Sequence, residues 1–137
     1  MRVKKIPYHQ MKSFSKLILD YISGEKSLAP FYNREPKLES FKAQIQEKQK
    51  QQLNRKVLVE VLDQQYIGLD TTEHVKSNIQ SLSQENTFTV ATGHQLCLFT
   101  GPLYFIYKII STINLAEQLK SEYPEFNFVP IYWMASE

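Results

Sequence analysis

The sequence predicts an α/β fold centred on a strand–helix–strand (βαβ) unit, and three observations lead to this prediction. A short β-rich run at 87–91 is followed by a glycine-bracketed loop, then by an apolar-periodic helix over about 103–120, and then by a second β-rich run at 128–133. Connections of this kind are right-handed and pair the two strands in parallel. We therefore expect Val90 and Val129 to lie on neighbouring parallel strands.

The residues before this unit are predicted to form a mainly helical preamble. Apolar residues recur at helical spacing in four segments, at about 13–23, 38–50, 55–66 and 71–82. Gly24 and Gly68 are typical stop signals, and Thr71 or Thr72 is placed to cap the last helix. This pattern divides the chain into a preamble, 1–86, and the first βαβ unit of an α/β domain, 87–137.

The loop that runs from Gly93 to Pro102 is the first candidate for a binding site. Gly93 and Gly101 permit a positive φ or the close approach of a ligand to the backbone. Pro102 suits the first helical position, and Gly101 or Thr100 is placed to cap the helix. Amide groups of the first helical turn favour a phosphate or a carboxylate. Since open α/β sheets bind ligands at the carboxyl ends of their strands, this loop predicts an anion site.

Ten residues make up the predicted substrate- or anion-binding set: Thr92, Gly93, His94, Gln95, Gly101, Pro102, Tyr104, Lys108, Trp133 and Glu137. Tyr104 and Lys108 stand one helical turn apart, so their side chains can meet. A ligand role for Lys108 competes with that of a surface lysine packed over Tyr104. Glu137 is equally consistent with a ligand contact or with a surface acid. No catalytic residue is identified, because the loop matches neither the dinucleotide fingerprint nor the P-loop.

Cys97 is the only cysteine, which excludes an intrachain disulfide and a cysteine-rich zinc site. Its apolar neighbours, Leu96 and Leu98, favour a small buried hydrophobic side chain, because a reactive thiolate needs a nearby base or cation. Three scattered histidines have no metal-ligand spacing, so no metal site is predicted. The low cysteine content is typical of a reducing cytoplasm.

Composition indicates an ordinary globular chain. With 137 residues, 42% hydrophobic and 22% charged, the sequence is long enough for one domain with a real core. A formal charge of +2 is too small for a nucleic-acid footprint, and we expect no nucleic-acid partner. The basic start leads into polar residues and is no signal peptide, and no stretch has the apolar length of a membrane span.

Two motifs carry a resemblance to a known family. Thr92-Gly-His-Gln and Thr100-Gly-Pro-Leu-Tyr-Phe-Ile-Tyr-Lys108, continued through 109–119 and 129–137, resemble the bacillithiol-biosynthesis cysteine-adding enzymes. The resemblance covers the whole chain but only the front of these much longer proteins, so we expect a piece of a longer parent. Two departures stand out: the family commonly has Gln where His94 stands, and often Pro-Gly in place of Leu96 and Cys97.

The resemblance implies a Rossmann-like fold similar to that of the nucleotidylyltransferases. It also implies a ligase that joins the cysteine carboxyl group to the amine of glucosaminyl-malate, with ATP and an adenylate as the expected means of activation. A cytoplasmic, homodimeric parent follows from the same resemblance, and the chain by itself is expected to be inactive. Two other classes stay open: a non-catalytic nucleotide- or anion-binding α/β module, and a helical interaction protein.

Overall fold

The computed structural model describes residues 4–136 and divides into two compact units, which meet in sequence between Ala43 and Gln44. The described part of the first unit contains two 3₁₀ segments, Tyr8–Gln10 and Lys26–Phe31, and one complete helix, α1 (Lys16–Ser23). The side chain of Ser15 caps α1 by accepting a hydrogen bond from an amide of its first turn. Gly24 ends the helix in a left-handed conformation with φ 73°, which confirms the predicted stop signal.

The second unit holds most of the regular structure. After α2 (Ser40–Lys48), which begins in the first unit, come α3 (Arg55–Gln65), α4 (Glu73–Ser81), β1 (Thr87–Gln95), α5 (Leu103–Glu122) and β2 (Asn127–Ala135). Thr72 caps α4 through its side chain, as one of the two predicted alternatives. The helices and strands therefore occur where hydrophobic periodicity predicted them, with shifts of a few residues at their ends.

β1 and β2 form a parallel pair joined by α5, which confirms the predicted βαβ unit and its α/β class. In the register of the sheet, Thr89 lies opposite Val129 and Val90 lies opposite Pro130. The pairing extends over nine residues of each strand, from the level of Thr87 to that of Gln95. Because the strands are parallel, both of their carboxyl ends lie at the same edge of the sheet.

Helices pack against both faces of this sheet. On one face, Val129 joins a buried cluster with Val59 of α3, Ile79 of α4 and Leu82. Tyr132 belongs to the opposite face, because side chains alternate along a strand, and it meets Phe105 of α5 edge to face. The unit thus has three layers, with the sheet between α3 and α4 on one side and α5 on the other.

The stripe of apolar side chains along α5 is only partly buried. The buried line of the helix runs through Thr112, Ala116 and Leu119. Isoleucines on its flank stay exposed: Ile106 at 37%, Ile110 at 47% and Ile113 at 40%. The stripe is wider than the surface that two strands offer, so its flank has no sheet to cover it within the described residues.

Two further expectations concern domains and membranes. The boundary predicted after residue 86 stays a prediction, and α3 and α4 share a compact unit with the strands. Among residues 4–136, none of the helices combines the length and apolar character that crossing a bilayer requires.

Candidate functional site

The first strand is longer than the sequence indicated, and this changes the setting of four predicted site residues. Thr92, Gly93, His94 and Gln95 belong to β1, where they pair with residues 132–135 of β2. The glycine had suggested a loop at these positions, but the four residues belong to the strand. The connection to α5 is therefore short, and the polar side chains are held by a paired backbone at the carboxyl end of the sheet.

Gly93 lies where the neighbouring strand β2 comes too close for a side chain. The described glycines with a positive φ are Gly24, Gly68 and Gly101, and Gly93 is not one of them. A Cβ added at Gly93 would lie 2.7 Å from the carbonyl oxygen of Trp133 and 3.0 Å from its Cβ. The group that approaches Gly93 closely is β2, and the approach of a ligand stays a prediction. The indole of Trp133 itself is 69% exposed.

The connection between β1 and α5 makes a left-handed turn. Phe99, Thr100 and Gly101 have φ values of 49°, 68° and 60°, so the predicted positive φ at Gly101 is confirmed. The predicted cap is wrong: Pro102 is itself the N-cap residue, in an extended conformation, and no side chain caps the helix. Neither Thr100 nor Gly101 therefore takes that place, and α5 begins at Leu103.

His94 and Tyr104 are brought together across this turn. The Nε2 of His94 lies 2.7 Å from the hydroxyl oxygen of Tyr104, and the ring centroids are 5.2 Å apart. On the other side of the ring, Nδ1 lies 2.8 Å from the carbonyl oxygen of Gln95. Phe105 packs edge to face against the same imidazole at 6.1 Å. These contacts fix the ring on both sides, which its sequence position alone did not reveal.

Cys97 joins this group and is not the fully buried side chain that its neighbours suggested. It is half-buried, with Sγ 3.2 Å from Nδ1 of His94. The thiol donates a hydrogen bond to the carbonyl oxygen of Gln95 at 3.3 Å. The left-handed turn causes this arrangement by folding Gly101 against the thiol: a Cβ at Gly101 would lie only 2.8 Å from Sγ.

Lys108 lies on the buried line of α5, one turn before Thr112, and is half-buried. Its Nζ donates a hydrogen bond to the carbonyl oxygen of Gly93. The spacing of Tyr104 and Lys108 had suggested that their side chains meet. In the described part of the chain, each of them instead bonds to β1. Packing of the aliphatic stem explains how a cation is accommodated on this face of the helix.

Tyr132 is a member of the site that sequence reasoning missed. Its hydroxyl donates to the carbonyl oxygen of His94 at 3.4 Å. Burial raises the pKa of the Tyr132 phenol above its ordinary value of 10.0, and the neighbouring Cys97 adds to the increase. Its place in the site depends on the register of the sheet, in which Tyr132 lies directly opposite Thr92, and a local sequence pattern does not indicate that register.

The polar group is bordered by apolar side chains in the connection. Leu98 is 84% exposed and Phe99 is 96% exposed. Glu137, the last predicted site residue, lies outside the described residues. Over residues 4–136, no group of three or more His, Cys, Asp or Glu side chains is arranged to hold a metal ion. The chemistry available at this edge is thus that of an imidazole, a thiol, two phenols and an ammonium group.

Comparison with known proteins identifies the family of this sequence. The family model described as "Bacillithiol biosynthesis BshC, N-terminal Rossmann-like domain" matches residues 1–137. A relative from Christiangramia forsetii is 58% identical over 96% of this chain and 25% of its own length. Relatives from Flavobacterium psychrophilum and Bacillus cereus are 53% and 33% identical, over 96% and 100% of this chain and 25% and 24% of their own lengths.

All three relatives carry the name "Putative cysteine ligase BshC". The chain spans about a quarter of the length of each of them. The family match confirms the predicted Rossmann-like fold and the resemblance on which it was based.

Proposed function

The chain belongs to the family of the bacillithiol biosynthesis protein BshC, and on this premise we propose that it is the N-terminal part of a cysteine ligase. The observation that carries the proposal is a family match over every residue of the chain, together with relatives that bear this name. The polar group around His94 is consistent with it, since ligands of open α/β sheets bind at the carboxyl ends of the strands.

We propose cysteine and glucosaminyl-malate as the substrates of the parent enzyme, which forms an amide between the cysteine carboxyl group and the amine. Both substrates carry carboxylates, which need a cation or a set of amide donors. Lys108 offers an ammonium group at the carboxyl end of β1, and its one described polar partner is a backbone carbonyl. No ion pair of the described residues 4–136 involves Lys108, so its charge is available to a substrate anion.

ATP is the proposed activating substrate, and the residues present fit an anionic group. α5 begins without a side-chain cap, so the amides of its first turn are not engaged by a capping side chain. Those amides, the ammonium group of Lys108 and the glycine at position 101 would hold a phosphate or a carboxylate. When bound, ATP would supply the leaving group on the cysteine carboxyl. We propose a nucleotidylyltransferase-like arrangement for this site because the family resemblance implies one.

The test is amide formation by the full-length parent with cysteine, glucosaminyl-malate and ATP. Mass spectrometry should detect the amide product only when all three substrates are present, and each omission serves as a control. The chain of residues 1–137 should be inactive in the same assay. Binding of ATP without any product would contradict the proposed ligase and favour a non-catalytic binding module.

Isothermal titration tests the anion site within this proposal. Gly101→Val should weaken the binding of ATP or of the amine substrate more than His94→Ala does, because a side chain at φ 60° is strained and meets Cys97. Unchanged affinity in both variants would leave the connection a structural turn.

The parent is further proposed to be a cytoplasmic homodimer. Light scattering measures the mass of the assembly, and cell fractionation identifies the compartment.

A further inference from the structure

The tautomer of His94 follows from its partners. A backbone carbonyl can only accept a hydrogen bond, so the Nδ1 atom 2.8 Å from the Gln95 oxygen must carry the hydrogen. Cys97 does not contradict this assignment, because its own hydrogen points to the same carbonyl and its sulfur is free to accept from Nδ1. In the neutral ring, Nε2 is therefore left with the lone pair.

This lone pair determines the direction of the bond to Tyr104. Nε2 lies 2.7 Å from the phenol oxygen, so the neutral imidazole accepts the hydrogen of the hydroxyl group. A hydroxyl group whose only hydrogen is engaged can act on other molecules only as an acceptor. Tyr104 is 53% exposed, so a ligand can reach the side chain. The site thus presents a hydrogen-bond acceptor whenever His94 is neutral.

The groups that face His94 decide which donor this acceptor suits. Cys97 from the connection and Tyr104 from α5 contact the imidazole itself. Lys108 from α5 and Tyr132 from β2 bond to the backbone carbonyls of Gly93 and His94. None of these is a carboxylate, and Lys108 places a positive charge at the carbonyl group of Gly93, the residue before His94. A protonated ammonium substrate would be repelled, whereas a neutral amine can donate its N–H to the phenol oxygen.

From this geometry we propose that Tyr104 is a catalytic residue, the acceptor of the proton that the amine substrate loses, and that His94 is its positioning partner. The proposal rests on the ligase function proposed above. The amine nitrogen forms a bond to the carbonyl carbon of the activated acyl group, and the leaving group departs with the electron pair of its own bond. The amine proton passes to the Tyr104 oxygen while the phenol hydrogen passes to Nε2, and the resulting imidazolium releases a proton to water.

A pH dependence with a defined sign follows from this relay. When His94 is protonated, Nε2–H donates to the phenol oxygen, and the hydroxyl hydrogen of Tyr104 turns outward. The site then presents a donor to the N–H of the amine, and the relay has no acceptor. The value of kcat should fall on the acid side as the imidazole takes up its proton.

The experiment compares the full-length parent with three variants. Tyr104→Phe should lower kcat by about 10²-fold or more, the range for the loss of an acid–base group. His94→Gln keeps an acceptor for Tyr104 but cannot titrate, so kcat should fall and its acid limb should flatten, with unchanged KM for cysteine. His74→Gln, on α4, is the matched control and should retain both kcat and its acid limb.

A spectroscopic measurement tests the geometry without any assay of activity. Nitrogen NMR of histidine-labelled protein, assigned with the His94→Gln variant, should show the hydrogen of neutral His94 on Nδ1, whereas an Nε2–H tautomer would overturn the proposal. Retention of kcat by Tyr104→Phe, or of the acid limb by His94→Gln, would overturn it as well while leaving the ligase function intact. Failure of the wild-type parent to form any amide would instead remove the proposed function and, with it, the catalytic role.

Discussion

Arg55, the first residue of α3, is hydrogen bonded to Thr87, the first residue of β1. One guanidinium nitrogen donates to the Thr87 carbonyl oxygen at 3.1 Å, and the other donates to the Leu82 carbonyl oxygen at 2.9 Å. Thr87 is only 1% exposed. A single side chain therefore joins the start of a helix, the end of α4 and the start of the strand that carries the site.

Replacing Arg55 with Ala should destabilise the fold by about 2 kcal/mol, because two carbonyl groups lose a charged donor. Chemical denaturation of the purified protein measures this loss. Lys56→Ala is the matched control and should change stability by less than about 0.5 kcal/mol, since Lys56 is highly exposed and its ion pair with Glu60 is long. Equal effects of the two substitutions would show that the Arg55 bonds add nothing.

Gly93→Ala should destabilise the sheet by about 1–3 kcal/mol, the usual cost of overpacking. The new methyl group would lie 2.7 Å from the Trp133 carbonyl oxygen, so β1 and β2 must shift apart locally. Ala91→Ser serves as the control, because residue 91 is an exposed position on the same strand. Denaturation curves that coincide for Gly93→Ala and wild type would mean that the strands adjust at no cost.

The sequence was a good guide to the order of elements and a poor guide to the end of β1. Helical and strand periodicities are local, and so the βαβ unit could be predicted from them. Gly93 resembles a turn residue by its type alone. Its place in the strand is decided by pairing with Trp133, forty residues further along the chain. Since such pairing is not local, the residues around Gly93 do not predict that the strand continues to Gln95.

The composition of the site was partly predictable for a related reason. His94 and Tyr104 were candidates because of their positions, but their contact depends on a turn of three left-handed residues that begins at Phe99. Left-handed Phe and Thr are uncommon, so the sequence does not indicate them. The same turn brings Cys97 to the imidazole. This side chain is therefore only half-buried, although its apolar neighbours had predicted that it is buried.

Cys97→Ala should retain most of the activity of the parent, because Gln95 holds the Nδ1 hydrogen of His94 without help from the thiol. The stability loss should be about 1 kcal/mol or less, as expected for a small side chain that is half-buried. Steady-state kinetics and denaturation of the same preparation measure both quantities. A folded variant without activity would show that the sulfur takes part in the reaction.

Stability should decrease in alkaline solution partly through Tyr132. Its pKa is raised by burial and by Cys97, so the folded state favours the neutral phenol. This contribution is fully present below 10.0, the ordinary value, and is lost as the pH rises through the higher pKa of the folded state. Tyr132→Phe should therefore lose less stability over that range, as measured by urea denaturation at a series of pH values. Parallel losses in the two proteins would contradict the assignment.

Lys108→Met should weaken the binding of ATP to the full-length parent by about tenfold, which corresponds to roughly 1.4 kcal/mol. The substitution keeps the apolar stem on the buried line of α5 but removes the ammonium group that lies near the carboxyl end of β1. Lys108→Arg keeps the charge and should retain part of the affinity. Isothermal titration gives the affinity, and denaturation shows whether each variant is folded.

Lys120→Met separates binding from packing in this last prediction. Lys120 lies on the same helix and also donates to backbone carbonyls, those of Pro124 and Phe126, both at 2.9 Å. It belongs to the last turn of α5, at the opposite end of the helix from the site. Loss of this lysine should therefore lower stability and leave ATP affinity unchanged. If both lysine variants lost affinity to the same extent, the effect would come from a weakened helix, and Lys108 would have no role as an anion contact.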